Sequence, residues 1–155
     1  MSSFERFEEF AGQPDVQLAG LKIWVHGYQF PDADNDDDAD WLTVTVRCHA
    51  PGASVWWRGP YLMRSELQYL RDGAKRLQRE LSGSVTLECL EPYLAISLAF
   101  RGQRGEIVAA VDITPEHMSQ DHHFEFEIDQ SYLADLIRSC DAVLKAYSRV
   151  RPQVT

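Results

Sequence analysis

No apolar run in these 155 residues approaches the ~20 that a membrane helix needs, so no bilayer-spanning segment is expected. Basic residues are in deficit, with 15 Lys and Arg against 24 Asp and Glu and a net charge of −9. Affinity for a phosphate backbone depends on lysine and arginine displacing counterions, so general nucleic-acid binding is disfavoured and a basic partner suits the chain better. Cysteine is scarce. Cys48, Cys89 and Cys140 are odd in number and far apart, which excludes a disulfide framework and paired metal ligands, and each falls on an apolar stripe as a small core residue does. The first ten residues carry Glu5, Glu8 and Glu9 against Arg6 and lack an apolar h-region, so no secretory signal is read there and a cytoplasmic location is expected. There is no glycine-rich phosphate loop between a strand and a helix, no G-x-S-x-G elbow and no histidine pair at i, i+4 spacing. No cofactor and no catalytic residue follow from such a pattern.

The chain does carry an acidic segment. Asp32, Asp34, Asp36, Asp37, Asp38 and Asp40 crowd into nine residues behind Phe30 and Pro31 and account for six of the nine net negative charges. Six like charges repel one another and offer nothing to bury, so residues 32–40 are expected to form an exposed, mobile acidic loop. Its opening, with aspartates at relative positions 1, 3 and 5, is similar to a calcium-binding EF-hand loop. Asp37 stands where glycine makes the turn, however, and Thr43 where a bidentate glutamate closes the shell. Asp32, Asp34, Asp36 and Asp38 are thus secondary candidates for a metal site, and weak cation condensation is the simpler expectation.

Around that loop, hydrophobic periodicity sets out the elements. Ser2 and Glu5 form a capping pattern ahead of Phe4, Phe7 and Phe10, which suggests a short N-terminal helix. Alternation predicts strands over 20–28, 41–49 and 55–58, the last two joined by Pro51 and Gly52, with Trp56 and Trp57 on opposite faces. Leu67, Leu70, Ala74, Leu77 and Leu81 make a helical stripe over 64–81, started by a Ser65/Gln68 capping box, stopped by Gly83 and interrupted by Gly73. Four strands follow, over 84–90, 93–100, 106–113 and 122–128, and a second long helix capped by Asp129 carries Leu133, Leu136, Ile137, Cys140, Leu144 and Tyr147. The expected fold is α+β, a single domain with one largely antiparallel curved sheet of about seven strands in the order βββαββββα and both long helices on one face. Residues 1–15 and 149–155 are expected to be peripheral.

Other constellations carry little chemistry. His117, Asp121 and His122 share a loop without zinc-site spacing, and Arg71, Lys75 and Arg79 form a basic row diluted by Asp72 and Glu80. Glu88, Glu91, Glu125 and Glu127 read as solvated strand carboxylates.

Several short motifs in succession do point somewhere. Gly27-Tyr28-Gln29-Phe30-Pro31, Asp40-Trp41-Leu42, Leu90-Glu91-Pro92, and Phe124-Glu125-Phe126 running on to Asp129-Gln130-Ser131-Tyr132-Leu133 resemble the WapI-type bacterial immunity proteins over roughly residues 21–147. The resemblance implies a small cytoplasmic, non-catalytic protein that neutralises a cognate toxin domain, often a nuclease, by occluding it. Charge agrees with it, since an acidic loop suits a basic cleft. Asp34, Asp36, Asp37 and Asp38 are the candidate partner-binding residues, with Trp56 as a candidate anchor. The alternatives are an acidic-loop metal-binding domain and a cytoplasmic interaction module of another kind. Neither oligomeric state nor toxin identity is legible.

Overall fold

The computed structural model describes residues 12–148. Among these residues eight strands form two four-stranded antiparallel sheets, where the sequence suggests one sheet of about seven. The first sheet runs in order through β1 (Val16–Leu18), β2 (Leu21–Tyr28), β3 (Trp41–Ala50) and β4 (Ala53–Met63). The second runs through β5 (Ser84–Glu88), β6 (Leu94–Arg101), β7 (Glu106–Ile113) and β8 (His123–Ile128). Three helices complete the order among the described residues: α1 (Asp36–Ala39) between β2 and β3, α2 (Arg64–Glu80) between the sheets, and α3 (Gln130–Ala146) after β8. The expected N-terminal helix and frayed tail lie outside the described residues.

Two sheets form because β4 delivers the chain into α2, and the 17 residues of that helix carry it past the edge of the first sheet. Each sheet then turns one apolar face inward. Ile23, Val44, Val46 and Trp57 from the first, Ile96, Leu98, Ala109 and Val111 from the second, and the stripes of α2 and α3 belong to one continuous core. The helices pack on each other, α2 also against β5 and α3 against β1, so they bridge the edges of both sheets instead of covering one face of a single sheet.

Local departures have physical causes. β4 runs through Gly59 and Pro60, which read as strand breakers. It can do so because it is an edge strand and the ladder shifts by a bulge there, between Leu42 and Val44 of its partner, so the missing proline N–H costs no ladder bond. α2 starts from Met63, whose N–H donates to Glu66 Oε1 at 2.8 Å, in place of a Ser65/Gln68 box. It ends on Leu81 in the left-handed region at φ 56°, two residues before Gly83. Gly73 sits where a Cβ would lie 2.3 Å from the Val85 side chain, so the absent side chain lets α2 lie close on β5. At Gly20 a Cβ would meet the His49 carbonyl at 2.1 Å and the Phe126 ring at 2.7 Å, making the β1–β2 turn a close crossing between the sheets.

The second face of the first sheet is not simply solvated. Trp24 and Thr45, both outward by alternation, are buried; the indole donates to the Gly12 carbonyl at 3.1 Å, and Thr45 Oγ1 lies 2.7 Å from His26 Nε2.

Candidate partner-binding surface

The acidic segment is partly structured. Asn35 caps α1, its Oδ1 accepting from the Asp38 N–H at 2.8 Å while its Nδ2 donates to Asp38 Oδ2 at 2.9 Å. Asp32, Asp34, Asp36, Asp37 and Asp38 are all exposed, so the charge stands in solvent on a short helical turn and on the segment that leads into it. The structure brings the four candidate recognition carboxylates, Asp34, Asp36, Asp37 and Asp38, into one lobe.

Asp40 is different. Its carboxylate accepts from the Ser65 backbone N–H at 3.1 Å and from the Ser65 hydroxyl, and its own carbonyl accepts from the Arg64 N–H at 2.7 Å. It therefore satisfies orphan donors at the N-terminus of α2 and complements the helix dipole there. The other root of the lobe is tied as well: Tyr28 Oη donates to the Tyr147 carbonyl at 2.5 Å, and its ring meets Tyr147 edge-on with centroids 5.4 Å apart. Arg64 completes this joint by donating to the Tyr147 and Leu144 carbonyls, both at 3.0 Å, which places its cation at the C-terminus of α3 where the dipole favours it.

From α2 the surface continues to the end of β5. Glu66 Oε2 accepts from the Leu90 N–H at 2.7 Å, so one carboxylate joins the start of α2 to the Leu90-Glu91-Pro92 turn. Burial pushes the Glu66 carboxyl above its ordinary value, and the two N–H donors, Met63 and Leu90, pull it part of the way back. Ser65, Glu66, Tyr69, Thr86, Leu87 and Glu88 line a shallow pocket of about 340 Å³ beside this joint. Tyr69 and Leu90 stand exposed nearby, at 54% and 72% of their surface. Neither is read as a contact in the sequence, where Tyr69 lies off the apolar stripe and Leu90 closes a strand and opens the Leu90-Glu91-Pro92 motif. An aromatic on the polar side of an amphipathic helix is the signal that marks Tyr69.

Trp56 sits apart from the lobe. It is half-buried on the second face of β4, opposite Arg47 of β3, while Trp57 on the inner face is buried and donates to the Tyr93 carbonyl at 3.0 Å. Arg47 is six residues along β3 from Trp41, which puts Trp56 about 20 Å from the strand end that carries the lobe. The structure therefore places the two parts of the sequence-based surface at opposite ends of the β3–β4 hairpin.

Among the described residues no three His, Cys, Asp or Glu side chains converge as a metal would require. His117 packs edge-on against Tyr93 with centroids 5.6 Å apart, and His122 pairs with Gln120 at 3.1 Å. Glu125 is engaged by His123 and Glu127 by Arg101 at 2.6 Å. All three thiols are buried, and burial pushes Cys48 and Cys140 up to about 12 and Cys89 upward too, so they pack as apolar groups. No helix of the described residues is long and apolar enough to cross a membrane.

These features define an α+β protein with an acidic surface anchored at helix and strand ends. The model of the immunity protein WapI-like family matches residues 15–148, and the chain belongs to that family. No curated protein matches the chain. Three solved chains do match; one, described as "Structure of the plant transcriptional regulator PBF-2", is 9% identical over 86% of this chain and 90% of that chain, with a TM-score of 0.48. Residues of the short motifs singled out in the sequence fall on joints of the fold: Tyr28 on Tyr147, Asp40 on Ser65, Leu90 on Glu66, and Asp129, which caps α3 by accepting from the Ser131 N–H at 2.9 Å.

Proposed function

We propose that this protein is a cytoplasmic immunity protein that neutralises a cognate toxin domain by binding and occluding it, without catalysis. The observation that carries the reading is the family match over residues 15–148, nearly the whole described chain. The charge distribution supports it. Asp34, Asp36, Asp37 and Asp38 stand exposed on one lobe, where their summed field attracts a basic surface over a screening length of ~8 Å at physiological salt and raises the rate of encounter. A nuclease, whose cleft must grip phosphates, is the class of toxin such a lobe suits best. Trp56, with its half-buried indole, is a second contact at the far end of the hairpin.

The test is co-expression of the full chain with the C-terminal domain of a candidate cognate toxin, sought among the genes that neighbour its own. Host survival that depends on the chain supports the reading, and cell death at matched expression overturns it. Changing Asp34, Asp36, Asp37 and Asp38 together to Asn separates steering from contact. The association rate should fall about ten-fold or more at low salt and lose most of its salt dependence. An unchanged rate and slope would remove the lobe from recognition.

A further inference from the structure

Between α2 and β5, the pocket lined by Ser65, Glu66, Tyr69, Thr86, Leu87 and Glu88 combines features that no motif assigns. Tyr69 offers an exposed aromatic ring on one wall. Glu88 stands exposed at the other and makes no ion pair among the described residues. Glu66 and Asp40 add carboxylates at the α2 end, where they accept from the Met63 and Ser65 N–H groups at the helix N-terminus and from the Leu90 N–H of the neighbouring turn, so those donors are not offered to an anion. The nearest cation in sequence is turned away, since Arg64 donates to carbonyls of α3. Arg71 is held by Asp72 and Asp141. Tyr69 also lines a neighbouring groove with Lys75, Arg76 and Arg79, of which Arg76 donates to the Ser84 carbonyl, and none of the three lines this pocket.

An aromatic face beside an unpaired carboxylate, in a pocket without a resident cation, is complementary to a guanidinium. Arginine is planar enough to stack on a ring while its edge pairs with a carboxylate, whereas a lysine ammonium is a compact, strongly hydrated point charge. We propose that this pocket receives an arginine side chain from the surface of the partner protein, stacked on Tyr69 and paired with Glu88, with exposed Leu90 as the adjoining apolar contact. The occupant's source, a toxin domain, rests on the proposed function; the chemistry of the pocket does not. It also joins the acidic lobe to a contact: Asp40 leads from α1 to Ser65, and Ser65 lines the pocket. Long-range attraction at the lobe then delivers a basic surface to a place that can hold it.

Two measurements on the full chain decide this. NMR titration of the isotope-labelled protein with capped arginine should give saturable shifts at Tyr69, Thr86 and Glu88, several-fold weaker with capped lysine, and lost in Tyr69→Ala and Glu88→Gln. No saturable shift at the pocket, or shifts confined to residues 32–38, overturns the assignment. With the toxin domain that the chain neutralises in co-expression, Tyr69→Ala and Glu88→Gln should each weaken the complex about ten-fold, while Glu106→Gln, on an exposed strand position of β7, leaves it unchanged. Wild-type affinity in both pocket variants would overturn the site while leaving immunity intact. A wild-type chain that neither binds nor protects would instead remove the immunity reading, and the arginine titration would still decide the pocket. Both side chains are exposed, so far-ultraviolet circular dichroism and thermal melting should match the wild type and exclude misfolding.

Discussion

Replacing Asp40 by alanine should destabilise the fold, whereas replacing its acidic neighbours should not. Asp40 accepts from the Ser65 N–H at 3.1 Å and from the Ser65 hydroxyl at the head of α2, the helix whose Leu67, Leu70, Ala74 and Leu77 are buried in the core. Losing a cap of this kind costs about 1 kcal/mol, and losing an anion at a helix N-terminus costs a further ~0.3–1 kcal/mol. The expected loss for Asp40→Ala is therefore about 1–2 kcal/mol, with Asp40→Asn, which keeps one acceptor oxygen, losing about half of that. Asp36, Asp37 and Asp38 are exposed on a four-residue helix that buries nothing, and neutralising them relieves mutual repulsion. Their combined replacement by Asn should change stability by less than about 0.5 kcal/mol, or raise it. Urea unfolding followed by tryptophan fluorescence measures this: with a slope of about 2 kcal/mol per molar, Asp40→Ala should lower the midpoint by about 0.5–1 M. Equal midpoints for Asp40→Ala and Asp38→Ala would refute the separation of a structural aspartate from a recognition lobe.

Three further outcomes follow from the packing and the titratable groups. Gly73→Ala should destabilise by about 1 kcal/mol or more despite alanine's better helix propensity, because the added Cβ meets Val85, and Val85→Ala in the same chain should recover part of the loss in urea melts. Glu66 has a folded-state pKa above its ordinary 4.5, so its stabilising effect is greatest below that value and declines as pH rises through the folded pKa; the stability difference between wild type and Glu66→Gln should be more favourable to wild type at about pH 4 than at about pH 7. His123 is raised above 6.5 by its bonds to Glu125 and Asp112, so its contribution is full below 6.5 and lost as pH rises through the folded value, and His123→Gln should flatten the fall in stability between about pH 6 and pH 8.

The elements were legible where one face is buried and the other wet. Leu21 to Tyr28, Glu106 to Ile113 and the stripe of α2 show their period in the sequence and form within a residue or two of the expected bounds. β1 was not legible, because its three residues, Val16, Gln17 and Leu18, are too few to show a period and are stabilised by pairing with β2. The split into two sheets was hidden too, since alternation reports which face of a strand is apolar and says nothing of which neighbour pairs with it; Trp24 and Thr45 show the same limit, as polar-face residues that the fold buries. At the surface, composition located the acidic lobe but treated its six aspartates alike. Only the long-range bond to Ser65 distinguishes Asp40, and only the approach of α2 to β5 brings Tyr69 and Glu88 into one pocket.

The central claim is neutralisation by occlusion, and a stoichiometric titration tests it most directly. The purified chain is added in increments to a fixed amount of the candidate cognate toxin domain, held well above the dissociation constant, and residual toxin activity is measured. Occlusion predicts a linear decline to zero at one chain per toxin domain, independent of incubation time once binding is complete. Activity that is unaffected by excess chain, or that is abolished progressively with time by substoichiometric chain, would contradict it.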